Sequence, residues 1–446
     1  MADRISRRRA LELSVAATAL PLLHVRTAGA AGKLSVGFWD HWVPDGNKVM
    51  QKQVDAWANA NKVDVRVDFI TVNGNKLLMT GVAEAQARTG HDIMTFLNWD
   101  MYNVARYLAP VEDVMQRLIA KHGPATKTAE YLGRSEGAWL AVPTSSGTQT
   151  KPPCARISLM KKYGVDVQAM YPARPEKTAP ADEWTYDSFL RYAEAAHKDG
   201  KTFGMGLGGG ECTDSTDQVG AMFRAFGAAL VDGKGNIQVH SDAVQQVLEY
   251  SAKLVRFMPD DALIYDDASN NRALISGQSA LIFNPPSAWA VAKRDAPTIA
   301  SDCWTFPPPA GPKGRFVGTV TWFWGIWSFS KNQSAAKDLI EYLMQREQIE
   351  ERDNVVEGYD LPPFDSMNDF KIWEKVEPPL GTVYNYPIRP WHGSEPNITA
   401  SEAPPDIAVQ IYRRAVHSGI LGRMKQGQSI KQAVDWAQSE LEGFTR

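Results

Sequence analysis

From residue 33 onward, hydrophobic positions switch between the spacing of a strand and that of a helix. The run "KLSVGF" at 33–38 is a short strand, and "NKVMQKQVDAWANA" then places Val49 or Met50, Val54 and Trp57 along one helical face. Next, "VDVRVDFI" alternates Val63, Val65, Val67 and Phe69 with Asp64, Arg66 and Asp68, as a half-buried strand would. A second helix, "NKLLMTGVAEAQAR", leads into the apolar strand "DIMTFL" at 92–97. This β-α-β-α-β order predicts an α/β lobe with a mostly parallel sheet, whose ligand sites lie beyond the carboxyl ends of the strands. "GFWDHW" at 37–42 and "NWD" at 98–100 fall at such ends.

A second region begins after "AWLAVPTSSGTQTKPP", a strand followed by a Ser/Thr/Pro-rich crossing that reads as a hinge. Beyond it come a helix in "EWTYDSFLRYAEAAHKDG" capped by Thr185, and a strand entering a glycine loop in "KTFGMGLGGG". Two more helices follow, in "DSTDQVGAMFRAFGAAL" and "SDAVQQVLEYSAKLVRFM". "RFVGTVTWFWGIWSFS" reads as a long strand with Trp322 and Trp324 on one face and Phe323 and Trp327 on the other. Helices close the chain, Trp436 among their packing residues, and no internal repeat occurs.

The N-terminus changes the picture. "MADRISRRR" is basic, "ALELSVAATALPLLHV" mildly apolar, and "AGA" at 28–30 offers small residues for cleavage, the order of a signal peptide over residues 1–30. "SRRRALE" resembles the twin-arginine export motif in Ser6, Arg7, Arg8 and Leu11, with Ala10 and Glu12 in place of the usual Phe and Lys. No Cys follows the apolar stretch, so a soluble periplasmic protein is expected, not lipid-anchored and without membrane insertion.

Composition then excludes several functions. The 446 residues are 44% hydrophobic and carry a net charge of -3, which gives no electrostatic footprint for nucleic acid. Cys154, Cys212 and Cys303 have no metal-ligand spacing, and whether any two form a disulfide stays open. No metal or cofactor is expected. Gly204, Gly206 and Gly209 satisfy G-x-G-x-x-G, but the acid a dinucleotide site needs on the next strand is missing, so they read as a turn or as backbone beside a ligand. No HExxH, Walker A or GxSxG motif appears, and Asp260, Asp261, Asp266 and Asp267 read as solvated loop residues.

Fourteen Trp is the unusual number. Trp39, Trp42, Trp99, Trp289, Trp322 and Trp324 fall just after strands or on the long strand, accompanied by Asp40, His41, Asn98, Asp100, Glu211 and Asp214. Flat rings beside carboxylates and amides suit a sugar, whose C–H face stacks while its hydroxyls need hydrogen-bonding partners. Ser145 and Tyr359 complete the candidate set.

Together these stretches resemble the extracellular solute-binding proteins of ABC importers, the carbohydrate-binding family that includes maltose-binding protein. "HDIMTFLNWDMYNVARYLAPVEDV" looks like the family's strand and ligand loop, "GAWLAVPTSS" its crossing, "ALISGQSALIFNPPSAW" and "SAAKDLIEYLMQREQIEE" its later segments. "SSGTQTKPP" departs from the family pattern at the crossing. The resemblance implies a type II periplasmic-binding-protein fold with two α/β lobes on a hinge: lobe one at 33–144 and 322–366, lobe two at 145–321 and 367–446. It also implies a monomeric, non-enzymatic receptor that closes on a sugar or polyol and delivers it to a membrane permease. In that frame Trp39 or Trp42 stacks on the solute, Trp324 flanks it, and Asp40 takes a hydroxyl. Two alternatives are a secreted carbohydrate hydrolase and a receptor for a cationic solute such as a polyamine.

Overall fold

The computed structural model describes residues 32–170, 179–209, 212–372, 375 and 394–444. The signal-peptide reading of residues 1–30 and the candidate Glu211 lie outside the described residues.

Two sheets organise the chain. In the first, β1 (Lys33–Trp39) lies between β2 (Asp64–Ile70) and β3 (Ile93–Leu97), parallel to both. The intervening helices α1 (Pro44–Asn61) and α2 (Lys76–Ala87) supply the crossovers that parallel neighbours require. A small hairpin of β4 (Arg134–Ser135) and β5 (Ala138–Trp139) leads into β6 (Val142–Thr150). The second sheet has the order β10-β7-β9-β8, from β7 (Cys154–Arg156), β8 (Thr202–Gly204), β9 (Ser279–Ile282) and β10 (Cys303–Thr305). The long strand β11 (Arg315–Ile326) returns to the first sheet, antiparallel to β3 and β6 and parallel to β12 (Ser394–Asn397).

Strand orientation is therefore more mixed than the mostly parallel sheets expected. Only β8 and β9 pair parallel in the second sheet. Both pairings of β7, with β9 and with β10, are antiparallel.

Between the sheets, β6 and β11 fall out of step. Val320 pairs with Gln149 and Trp322 with Thr144, so residues 145–148 stand opposite Thr321 alone. Gly147 has φ 90° there, and a Cβ on it would sit 2.6 Å from the Trp322 indole nitrogen, so the turn needs glycine twice over. Thr148 closes the excursion: its hydroxyl donates to the Thr144 carbonyl at 2.6 Å and accepts from the Trp322 N–H at 3.0 Å.

Local signals account for several helices. Helix α3 (Tyr186–Lys198) starts at a reciprocal cap between Thr185 and Ser188. Helix α4 (Thr213–Ala225) is buried along nearly its whole length, wedged between β11 and the C-terminal helix Val416–Lys425. Cys154, Cys212 and Cys303 are buried free thiols. Helix α5 (Pro405–Arg413) packs on the 98–103 segment after β3.

Candidate functional site

The strand ends of the first sheet carry a group of rings. Trp39, the last residue of β1, stacks on Trp322 of β11 with centroids 4.7 Å apart and planes 29° off parallel. His41 lies 4.5 Å from Trp39 and 5.0 Å from Tyr359, which is itself 6.3 Å from Trp39. His41 orients this group: Nε2 donates to Asp360 Oδ1 at 3.1 Å while Nδ1 accepts the Val43 N–H at 2.8 Å, an arrangement that the neutral ring satisfies. The same Asp360 oxygen accepts the Gly147 N–H at 2.8 Å, tying the rings to the β6 excursion. The indole N–H groups of Trp39 and Trp322 are buried without a hydrogen-bond acceptor. Such donors cost free energy unless something answers them.

Other sequence candidates take different places. Asp40 is exposed and accepts from the Asn47 amide at 2.7 Å, and Trp42 is half-buried. Asn98 adopts a left-handed conformation (φ 42°); its oxygen accepts the Thr321 N–H at 2.7 Å and its amide donates to the Tyr412 hydroxyl at 3.3 Å. Trp99 donates to the Thr399 carbonyl at 3.1 Å and Asp100 pairs with Arg413, so these two anchor the C-terminal segment. Ser145 is buried beside the Asp353 carboxyl. Trp289 is buried with the Lys293 ammonium 4.9 Å from its ring centre. Trp324 shares its strand face with Trp322 but stacks on Phe38 at 5.0 Å, with the Arg352 guanidinium 5.9 Å away, in the core of the first sheet. Gly206 and Gly208 pack against Tyr265, where added Cβ atoms would fall 2.4 and 1.8 Å from its atoms. That glycine run is a close backbone approach.

On the second sheet's side stands a polar group of which the sequence candidates included Asp214 but not Lys151 or Asp217. Lys151, just past β6, is buried and places Nζ 2.7 Å from Asp214 and 2.7 Å from Asp217, both on α4. Asp214 also accepts from the amides of Asn270 at 2.8 Å and Asn284 at 2.9 Å. Asp267 turns onto the start of α4, accepting the Thr213 hydroxyl at 3.0 Å and the Asp214 N–H at 3.1 Å. It thus caps a helix whose own cap residue, Cys212, offers no side-chain bond. This corrects the reading of Asp267 as a solvated loop residue, whereas its neighbour Asp266 is exposed and paired with Arg272. Spacing was the one available signal: Asp214 and Asp217 are three apart on a helix and so share a face.

Three carboxylates crowd one ammonium here. Burial pushes the Asp217 carboxyl up to about 6 against the pull of Lys151, and burial with the charge of Asp214 pushes Asp267 up to about 7. Burial alone would lower the Lys151 pKa, but the charges of Asp214 and Asp217 outweigh it and hold the ammonium protonated. Two links join this group to the rings. The Tyr359 hydroxyl feels the charges of Asp214 and Lys151, and the Tyr412 hydroxyl, which accepts from the Asn98 amide, feels the charge of Asp217. Asp217 Oδ1 and Asn284 Oδ1 are buried acceptors without a donor. Among the described residues no group of His, Cys, Asp and Glu could hold a metal ion, and no helix is long and apolar enough to cross a membrane.

Comparison with known proteins gives the context of this geometry. A family model described as bacterial extracellular solute-binding protein matches residues 52–378. A curated relative, the probable ABC transporter-binding protein of Deinococcus radiodurans, is 27% identical over 161 residues, a match spanning 36% of this chain and 38% of that protein. Maltose-bound MalE3 of T. maritima superposes with a TM-score of 0.70 at 18% identity, covering 92% of this chain and 99% of its own. A sugar transporter from Arthrobacter chlorophenolicus A6 with bound laminaribiose gives 0.72 at 16% identity, covering 92% and 99%. At these identities the likeness establishes the fold, the two-lobed architecture of periplasmic binding proteins.

Proposed function

The chain belongs to the bacterial extracellular solute-binding proteins, and from that premise we propose that it is a periplasmic receptor for a sugar or polyol. It holds the solute between two lobes, residues 33–144 with 322–366 and residues 145–321 with 367–446, and delivers it to the permease of an ABC importer. One observation carries the reading: stacked rings with unanswered indole N–H groups adjoin buried carboxylates and amides with unanswered oxygens. A sugar offers a C–H face to the first and hydroxyls, which both donate and accept, to the second. The maltose and laminaribiose held by the two structural neighbours support the same class, and the name of the curated relative supports the transporter. Trp39, Trp322, Tyr359, Asn98, Asp214 and Asp217 are the residues assigned to contact; Trp324 is assigned to packing.

The receptor acts without chemistry. It is exported through Arg7 and Arg8 by the twin-arginine route and works as a monomer. A thermal-shift screen of the mature chain against neutral sugars, polyols and polyamines tests the function. At a hundredfold excess over Kd a true solute stabilises by about 2.7 kcal/mol. Sugars should raise the melting midpoint and be recovered unchanged; a response to polyamines alone, or turnover of the sugar, would overturn the assignment.

A further inference from the structure

The polar half of the site carries a charge that its own residues do not balance. Asp214, Asp217 and Asp267 face each other across the start of α4 with Lys151 as the ammonium among them. The helix N-terminus answers for Asp267, since its N–H groups act as roughly half a positive charge and Asp267 accepts one of them directly. Lys151 answers for one of Asp214 and Asp217. One carboxylate is left over. The other polar groups around it are the amides of Asn270 and Asn284, the hydroxyls of Thr213, Tyr359 and Tyr412, and the Cys212 thiol, none of which carries positive charge.

The unanswered atoms point the same way and are independent of the charge count. Asp217 Oδ1 and Asn284 Oδ1 are acceptors that call for a donor, and both residues are more than nine-tenths buried. On the ring side the unanswered atoms are the indole N–H donors of Trp39 and Trp322, which call for an acceptor. A donor therefore meets the carboxylates, and only a cationic donor also answers the leftover charge, while oxygen acceptors meet the indoles. We propose that the solute is an amino sugar, with its protonated amine at Asp217 and Asp214 and its hydroxyl oxygens at Trp39 and Trp322. A polyamine meets the first demand but has no oxygen for the second, and a neutral sugar meets the second but leaves the charge unbalanced. The weakened acidity of Asp217 and Asp267 fits an unliganded site that borrows protons until a cation replaces them.

This inference rests on the sugar reading, and the test separates the two. Isothermal titration of the mature chain uses chitosan disaccharide, its N-acetylated counterpart chitobiose, cellobiose and spermidine as probes. The free-amine disaccharide should bind at least about tenfold more tightly than either neutral disaccharide near neutral pH, and that preference should fall as Asp217 takes up its proton below about pH 6. In Asp217→Asn, which keeps the Lys151–Asp214 pair, the preference for the free-amine disaccharide over the neutral ones should vanish. Equal or tighter binding of the neutral sugars overturns the inference and leaves the sugar receptor standing. Binding of spermidine without any sugar overturns both. If Asp217→Asn fails to fold, the pH dependence of the unaltered chain decides, since a pH-independent ratio between amine and neutral probes contradicts the inference.

Discussion

The rings at the end of β1 and the carboxylates at the start of α4 are linked through Tyr359, which packs on Trp39 and feels the charge of Asp214, yet different forces hold them. Trp39, Trp322 and Tyr359 are fixed by buried area and by strand geometry, with Gly147 making room for the Trp322 indole. Neither term depends on protonation. Asp214, Asp217 and Asp267 are fixed by one ammonium and one helix end, so their energy is electrostatic and depends on every nearby charge. The proposed reading implies a division of labour: the ring half would supply shape and tolerate changes of medium, while the carboxylate half would supply discrimination and respond to pH.

The comparison can be broken most severely at Lys151. Lys151→Met leaves Asp214 and Asp217 without their counter-charge in a buried setting, and should lower unfolding stability in denaturant melts by about 3–5 kcal/mol. A milder test uses pH. The Asp217 carboxyl keeps its proton up to about 6 in the folded chain, against an ordinary value of 3.8. The folded state therefore binds the extra proton between those limits, and the contribution of Asp217 to stability is full below the lower value and lost as pH rises through about 6. Measured as the difference between the unaltered chain and Asp217→Asn, that loss should approach about 2–3 kcal/mol between pH 4 and 8. A flat difference would place Asp217 outside the electrostatic half.

On the ring side the expected effects are smaller and independent of pH. Thr148→Val removes the hydroxyl that braces the β6 excursion against Trp322, and should cost about 1–1.5 kcal/mol at every pH tested. Smallest of all, Asp40→Ala at an exposed position should change stability by less than about 0.5 kcal/mol and leave sugar affinity unchanged, despite its place in "GFWDHW".

Where the sequence was legible, local rules decided the outcome. Hydrophobic pattern marked β1, β2 and β11, Thr185 caps the helix it was expected to cap, and tryptophans after strands marked the ring group. What escaped was set by tertiary approach. Trp322 and Trp324 share a face of β11, yet only the first meets Trp39, because Phe38 covers the second. Lys151 looks like part of a proline-rich hinge, and its partners lie 63 and 66 residues away along the chain. Asp267 differs from Asp266 only in which way one loop turns, a choice made by the helix it caps.

The central claim is that one solute is read by both halves at once. Isothermal titration of the mature chain, Trp39→Phe and Asp217→Asn with the sugar that gives the largest thermal shift tests it directly, alongside melts of the free proteins. Trp39→Phe keeps an aromatic face and loses the indole N–H, so the account predicts weaker binding by about 1 kcal/mol with a nearly unchanged melting midpoint. It predicts weaker binding in Asp217→Asn as well if the sugar bears an amine. Affinity unaltered in both variants, with binding intact in the parent, would contradict the claim that the solute lies between the rings and the carboxylates.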